Sequence, residues 1–414
     1  MKAVICVAFL VSRPPFVAIL KAESLTQAEL FDRSIRAKFG WVSYRLPSKD
    51  GVLVPESQHF IDPEANTERP WEEGSRNGFV VSPFSLAHGP ELWLNPLIRW
   101  QGAVPNTKAL TAAAEWMNLI VSDDEPSGEH PEHHDSQHYL EFCQSVRQIT
   151  EILQNKAQDS EGHHEAKALQ KVVWSRTKSI QLHSEAHPCL LFEALCQAYP
   201  SMHIVLLYHP VYGIWLGSSP ETLVEKESPR IRSMALAGTR SLAQTGSWGD
   251  KEIREQRLVV DYLQACFAGK SIPTDLQETT SVQKGPVEHL LNKIEGNSSI
   301  SCYEMAHCLH PTPAVAGFPV PESVKYILEN EPYPRSLYAG YWGYLNEQGD
   351  GLLSVNLRCL HWQDKQVTLY MGAGILPESD AETEWLETCR KSETLMNILH
   401  SLGWISPPSG VLGE

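Results

Sequence analysis

The sequence contains no CxxC pair, no GxxxxGK[ST] loop, no GxGxxG opening a helix after a strand, and no surplus of basic residues. Each absence removes a class of function. Without the glycine-rich phosphate loops a nucleotide-phosphate site has no support. Lys and Arg total 34 against 50 Asp and Glu, a net charge of −16, so a general nucleic-acid face is excluded. The nine cysteines are an odd number and scattered. Free thiols in a cytoplasmic protein fit them better than a disulfide framework. Residues 1–20 begin with Lys2 and an apolar stretch, but Arg13-Pro14-Pro15 interrupts it and no small-residue cleavage site follows. They read as a buried strand, or as residues upstream of the natural start, rather than as a secretory signal. No other apolar run reaches the ~18–20 residues that span a bilayer, so no membrane partner is expected.

What is present is an ordinary globular balance, 42% hydrophobic and 20% charged over 414 residues, which by length alone suggests two to three domains. Residues 1–138 are irregular, with short strands in GWVSYRLP (40–47) and NGFVVSPF (77–84), and end in the acidic, His-rich segment 121–138. Its His130, His133, His134 and His138, like His163 and His164, are zinc-ligand types. With no Cys and no ordered spacing, a solvated connector is the preferred reading. Residues 139–404 form the second part. An amphipathic helix is expected over 139–157 and further helices near 188–199, 251–268, 321–330 and 380–402. Strands are expected at 171–180, 203–209, 212–219, 230–239, 338–345, 351–362 and 366–376. Strands and helices mix without a βαβ repeat, which predicts an α+β fold with mostly antiparallel sheet, joined to the N-terminal part as one unit.

Four segments carry candidate chemistry. In SDAETEWLETCRKSETLMNIL (379–399), Glu384, Glu387 and Lys391 fall on one helical stripe about 60° wide. On an exposed helix this would be a weak i,i+4 pair. The preceding MGAGILPESD, however, lets backbone approach a ligand closely. Two carboxylates there suit a hard cation such as Mg²⁺, and Lys391 suits an anion. In GDKEIREQRLVVDYL (249–263), Glu255 shares a helical face with Val259 and Tyr262. It becomes a metal-ligand candidate if a second carboxylate comes near. Lys171 opens a strand and Glu221 follows a turn in GSSPETLV; the bland reading of each is a surface or snorkelling residue. Buried, a lysine titrates low and can act as a base, while a glutamate titrates high and can act as an acid. In HCLHPTPAVAGFP and LSVNLRC, His310 lies in a Pro-flanked turn and Arg358 is expected mid-strand, where burial calls for an anionic partner.

Taken together, KVVWSR, SSPETLV, ALAGTR, KEIREQ, LHPTPAVAGFP, YAGYWGYL, SVNLRC and GAGILPESDAETEWLETCRK resemble, in order over about 165–400, the chorismate-utilising enzymes. That family includes isochorismate, salicylate, anthranilate and aminodeoxychorismate synthases. The resemblance implies the family's α+β fold, with large antiparallel sheets and helices around a central cleft. It implies Mg²⁺ held by Glu255 and Glu387, with Glu384 helping through water. It implies substrate carboxylates held by Arg358, Lys391 and the backbone of Gly372, Ala373 and Gly374. Ala237, Gly238, Thr239, His310, Ala314 and Tyr338 match further substrate-binding positions. Lys171 matches the residue that activates water in members adding oxygen, where ammonia users usually carry Gln. Glu221 matches the acid that protonates the departing C4 hydroxyl.

The branch implied is isochorismate synthase, a monomeric isomerase converting chorismate to isochorismate for menaquinone. Salicylate synthase, a siderophore-pathway isochorismate synthase and a non-catalytic chorismate binder are the alternatives. Ala314 separates the chain from the anthranilate-type pattern, which has Thr there. Two departures stand out: Gln256 replaces the family's usual His after the metal-ligating Glu, and the loop after Arg240 is short.

Overall fold

The computed structural model describes residues 26–48, 56–63, 65, 77–102, 135–158, 168–183 and 185–406. Residues 1–20 and most of the His-rich segment lie outside these; of its histidines only His138 is described. The strands in the first part are β1 (Gly40–Arg45), β2 (Gln58–Asp62), β3 (Gly78–Ser82), β4 (Leu92–Leu94) and β5 (Ile98–Gln101). Then follow β6 (Lys171–Gln181), β7 (His203–His209), β8 (Gly213–Ser219), β9 (Thr222–Glu227), β10 (Arg230–Ser241), β11 (Thr274–Leu276), β12 (Thr280–Lys284) and β13 (Val287–Asn297). The last are β14 (Gly317–Phe318), β15 (Tyr341–Leu345), β16 (Gly351–Val355), β17 (Cys359–Gln363) and β18 (Gln366–Ile375). The α-helices are α1 (Gln27–Arg36), α2 (Asp135–Gln158), α3 (Pro188–Ala198), α4 (Asp250–Gly269), α5 (Cys302–Leu309), α6 (Val320–Asn330) and α7 (Ala381–Ser401).

Two sheets result, and the pairings among the described residues are antiparallel. The first runs β14-β6-β18-β17-β8-β7-β1-β2-β5; the second runs β11-β13-β10-β9-β16-β15-β3-β4, with β12 also on β13. This is the α+β, mostly antiparallel class that the sequence predicts. Strands from residues 40–101 sit inside both sheets, β1 against β7 and β3 against β15. The first sheet is covered on both faces. Alternate residues of β1 and β7 enter different cores: Val42, Val205 and Leu207 face the core shared with the second sheet. Trp41, Leu206 and Tyr208 face a core closed by α1, α3 and α7. This explains why β7 reads as an unbroken apolar run instead of an alternating one.

The helix starts follow local chemistry. Thr26 with Glu29 and Ser301 with Glu304 form capping boxes on α1 and α5, and the Asp380 side chain accepts from Thr383 N at the start of α7. The helices expected from residue spacing are present to within a few residues, whereas α1 and α5 had no expectation. The eight described cysteines are free thiols. No helix among the described residues is long and apolar enough to cross a membrane.

Two expectations need correction. Residues 351–362 are not one strand: β16 belongs to the second sheet and β17 to the first, and the chain crosses between them at 356–358. Arg358 is therefore not mid-strand. It sits in the crossover with φ 46°, a left-handed conformation that strand pairing does not allow. Likewise β15 starts at Tyr341, because residues 338–340 turn, with Ala339 at φ 60°.

A buried ion pair ties β6 to the loop after α5. Arg335 and Glu331 are 0% and 2% exposed at their side chains, with Nη2 2.6 Å from Glu331 Oε1. Arg335 also donates to Val315 O (2.8 Å) and Val173 O (2.6 Å), and Glu331 accepts from Ser175 N (2.9 Å). Removing one partner leaves an uncompensated buried charge. Glu331→Gln should therefore destabilise the protein by about 3–5 kcal/mol, read from urea unfolding midpoints. An effect below about 1 kcal/mol would show that the pair does not hold these segments.

Candidate active site

The β8-to-β9 and β16-to-β17 crossovers lie side by side. Val355 N donates to Glu221 O (3.1 Å) and Ser218 N to Arg358 O (3.2 Å). They deliver Glu221 and Arg358 to one cavity of about 80 Å³, between the two sheets and α4 and α7. Its wall includes Ala237, Gly238, Thr239, Ala314, Tyr338, Gly372, Gly374, Glu255 and Lys391, so most of the residues named from the sequence converge. Gly238 forms a bulge on β10, between pairs Ala237–Leu290 and Thr239–His289, with φ +61°. Such bulges re-aim strands beside active sites. Gly374 allows the closest approach: a Cβ there would meet Glu255 Oε1 and, at 2.9 Å, Lys171 Cε.

Three Glu–Lys pairs surround this wall. Lys171, 0% exposed at the start of β6, places Nζ 2.7 Å from Glu255 Oε1 on α4. On α7, Lys391 Nζ lies 2.7 Å from Glu387 Oε1 and donates to Gly372 O at 2.9 Å. Lys251 of α4 pairs with Glu384 Oε1. Burial pushes Glu384 up to about 7, the charge of Glu387 pushes it the same way, and Lys251 opposes both. Burial also raises Glu255, but Lys171, Lys251 and Lys391 outweigh it and hold that carboxyl below its usual range. Glu221 lacks so strong a compensation: burial raises it to about 8, against a smaller pull from Lys171 and Lys391.

Arg358 is a buried cation without a carboxylate partner among the described residues. It donates to Lys284 O (2.7 Å), to Thr394 Oγ1 (3.3 Å) and to His289 Nε2 (3.2 Å). Burial lowers it to about 10. His289 faces the cavity and had no place in the sequence expectations. Burial, with Arg358 and Lys391 nearby, holds it neutral far below the usual histidine range. Because Nε2 accepts from Arg358, its proton sits on Nδ1, 3.2 Å from Thr239 Oγ1. The Gly285-Pro286 turn between β12 and β13 was the available hairpin signal for this strand.

Five named residues are not part of the cavity wall: Lys171 and Glu387 meet it through their partners Glu255 and Lys391, and Ala373, Glu384 and His310 stand apart. Ala373, between two glycines on β18, is buried in the core between the sheets. Glu384 is fully buried behind Glu387. His310 caps the end of α5, its Nε2–H shared between Pro83 O and Phe84 O at 3.2 Å each.

The acidic cluster suits a hard cation. Its three carboxylates supply only oxygen donors, as Mg²⁺ prefers, and they lie close enough for Glu387 to raise Glu384. Glu384 Oε2 is buried without a hydrogen-bond partner. Among the described residues the three carboxylates are not grouped closely enough to form a metal site, and each is paired with a lysine.

A family model described as chorismate binding enzyme matches residues 45–400. The chain belongs to this family. Isochorismate synthase EntC of Escherichia coli (strain K12) is 32% identical over 244 residues, covering 55% of this chain and 62% of that protein. Anthranilate synthase component 1 of Aeropyrum pernix is 31% identical over 227 residues, covering 50% and 51%. The chain thus matches less than two thirds of the length of these curated relatives. The structure of MenF, the menaquinone-specific isochorismate synthase from Escherichia coli, superposes with a TM-score of 0.67 at 22% identity, covering 89% of this chain and 91% of that one. That likeness shows a shared fold within the chorismate binding enzymes.

Glu221 makes a testable contribution to stability. Its folded value near 8 exceeds the ordinary 4.5, so its contribution is fully present below about pH 4.5 and lost as pH rises through about 8. Relative to Glu221→Gln, the wild type should lose up to about 1.4 kcal/mol per pH unit across that window. Parallel stability–pH curves for the two proteins would contradict the assignment.

Proposed function

We propose that the protein is an isochorismate synthase, adding water at C2 of chorismate with loss of the C4 hydroxyl. The observation that carries the reading is a carboxyl held protonated near neutral pH, Glu221, in the wall of a cavity whose other wall carboxylate, Glu255, is paired with the fully buried strand lysine Lys171. Relatives near 30% identity include both an isochorismate synthase and an anthranilate synthase. Identity therefore does not select the nucleophile. Lys171 selects it, because the resemblance associates Lys with water and Gln with ammonia.

Chorismate is a dianion, and Arg358 offers a buried guanidinium that, among the described residues, bonds only neutral groups. A carboxylate there gains charge-assisted, bidentate-capable donors. Lys391, held by Gly372 O, adds a second cation. In this reading Lys171 is the base that takes a proton from the attacking water. Glu221 gives its proton to the departing hydroxyl, and both ring double bonds move as water adds: C1=C2 becomes C6=C1 and C5=C6 becomes C4=C5 as the C4–O bond breaks. The same buried setting that raises Glu221 keeps it an acid at neutral pH. Glu255 and Glu387 would hold Mg²⁺, with Glu384 behind them; when bound, the ion supplies Lewis-acid stabilisation of negative charge on the substrate.

Purified protein with chorismate and Mg²⁺ should yield isochorismate; salicylate plus pyruvate, or no product, would overturn the reading. Lys171→Ala should lower kcat by about 10²–10⁴-fold with the circular-dichroism spectrum unchanged, and retained turnover would remove Lys171 as the base. We take menaquinone as the destination of the product. Adjacent menaquinone genes would support this, and adjacent catechol-siderophore genes would overturn it.

A further inference from the structure

Gln256 follows Glu255 on α4 and is 3% exposed. Its carboxamide is fully engaged. Oε1 accepts from Ala237 N (2.8 Å), while Nε2 donates to Ala235 O (3.0 Å) and Asn292 Oδ1 (2.8 Å). Asn292, on β13, donates in turn to Gln277 O (3.1 Å). The pattern on β10 is informative. Strand β9 accompanies β10 only over Arg230–Arg232, so beyond that point one edge of β10 has no strand beside it. The groups that Gln256 engages are a carbonyl at one residue and an N–H two residues on. A neighbouring strand residue would meet the same pair. The side-chain amide thus stands in for a peptide unit and joins α4 to the strand at the Gly238 bulge.

We propose that Gln256 is a positioning residue that sets how far Glu255 stands from the Ala237–Gly238–Thr239 wall. This rests on the function proposed above. Glu255 pairs with Lys171, and the bulge packs against α4 at Glu252 and lines the same cavity. Gln256 fixes both through one planar group, and as a neutral amide it brings no charge between them. Lys171 and Glu221 come from β6 and the β8–β9 crossover, which Gln256 does not touch.

The substitutions Q256E and Q256H test this. Glu keeps the acceptor for Ala237 N but sets an oxygen against Ala235 O and Asn292 Oδ1. A neutral imidazole supplies one acceptor and one donor. For Q256E, the KM for chorismate and the Mg²⁺ dissociation constant from calorimetry should each rise at least tenfold, while kcat falls less than threefold. At pH 8, Q256H should recover both constants to within threefold of wild type. A merely structural role would instead lower kcat in proportion to the unfolded fraction, with KM and Mg²⁺ affinity unchanged. That result, or wild-type constants in Q256E, would overturn the proposal. If Q256E does not fold, Q256L decides alone: it keeps the volume and loses all three bonds, so tenfold weaker constants support the proposal and wild-type constants overturn it. Mg²⁺ calorimetry needs no turnover, so it tests Gln256 even where wild-type protein fails to convert chorismate and the functional reading falls.

Discussion

The site depends on one constraint: two strands leave one sheet for the other at the same place. Where β8 gives way to β9 and β16 to β17, backbone bonds from Val355 to Glu221 and from Ser218 to Arg358 lock the crossings together. A crossing interrupts both ladders, so each crossing residue must find its partners locally or face a cavity. Glu221 and Arg358 face the cavity. An acid and a cation are thus held by backbone rather than by long, flexible side chains alone, which is how a rigid scaffold keeps reacting groups in register.

Around this crossing the charges are graded by environment. Three lysines answer three glutamates, and two of these carboxyls diverge: Glu255 is held down by surrounding ammonium groups, while Glu384 is pushed up by burial and by Glu387. Glu221 sits apart from such pairing and stays protonated. Neighbouring carboxyls with values driven in opposite directions are a recurring mark of acid–base sites. Arg335 and Glu331 do the equivalent work for the backbone, fixing Val173 and Val315 on adjoining walls.

Much of this was legible in the sequence, for identifiable reasons. Lys171, Glu221, Glu255, Glu387 and Lys391 lie in motifs whose order carries the family resemblance, and the structure gathers them. Helices α2, α4, α6 and α7 were visible because their apolar residues repeat at helical spacing. Arg358 was misplaced because LSVNLRC alternates apolar and polar residues as a single strand does, and that alternation does not reveal that the chain changes sheets at Asn356. His289 was missed because β13 has mixed exposure along its length, so no clean alternation marked it. Helix α5, eight residues long, is too short for periodicity to declare.

The two-sided burial of the first sheet carries a consequence for alignment. A slip by one residue in such a sheet does not expose apolar side chains; it exchanges the occupants of two cores. Strand β7 is nearly indifferent to that exchange, since Ile204, Val205, Leu206 and Leu207 are close in size. Its neighbours are not. Trp41 of β1 belongs to the helix-covered core and Trp215 of β8 to the core between the sheets. Neither indole has room on the other face of a close-packed interior. The alignment of β8, and with it the point at which Glu221 emerges, is therefore set by bulky residues on either side of an aliphatic strand that could have paired in more than one way.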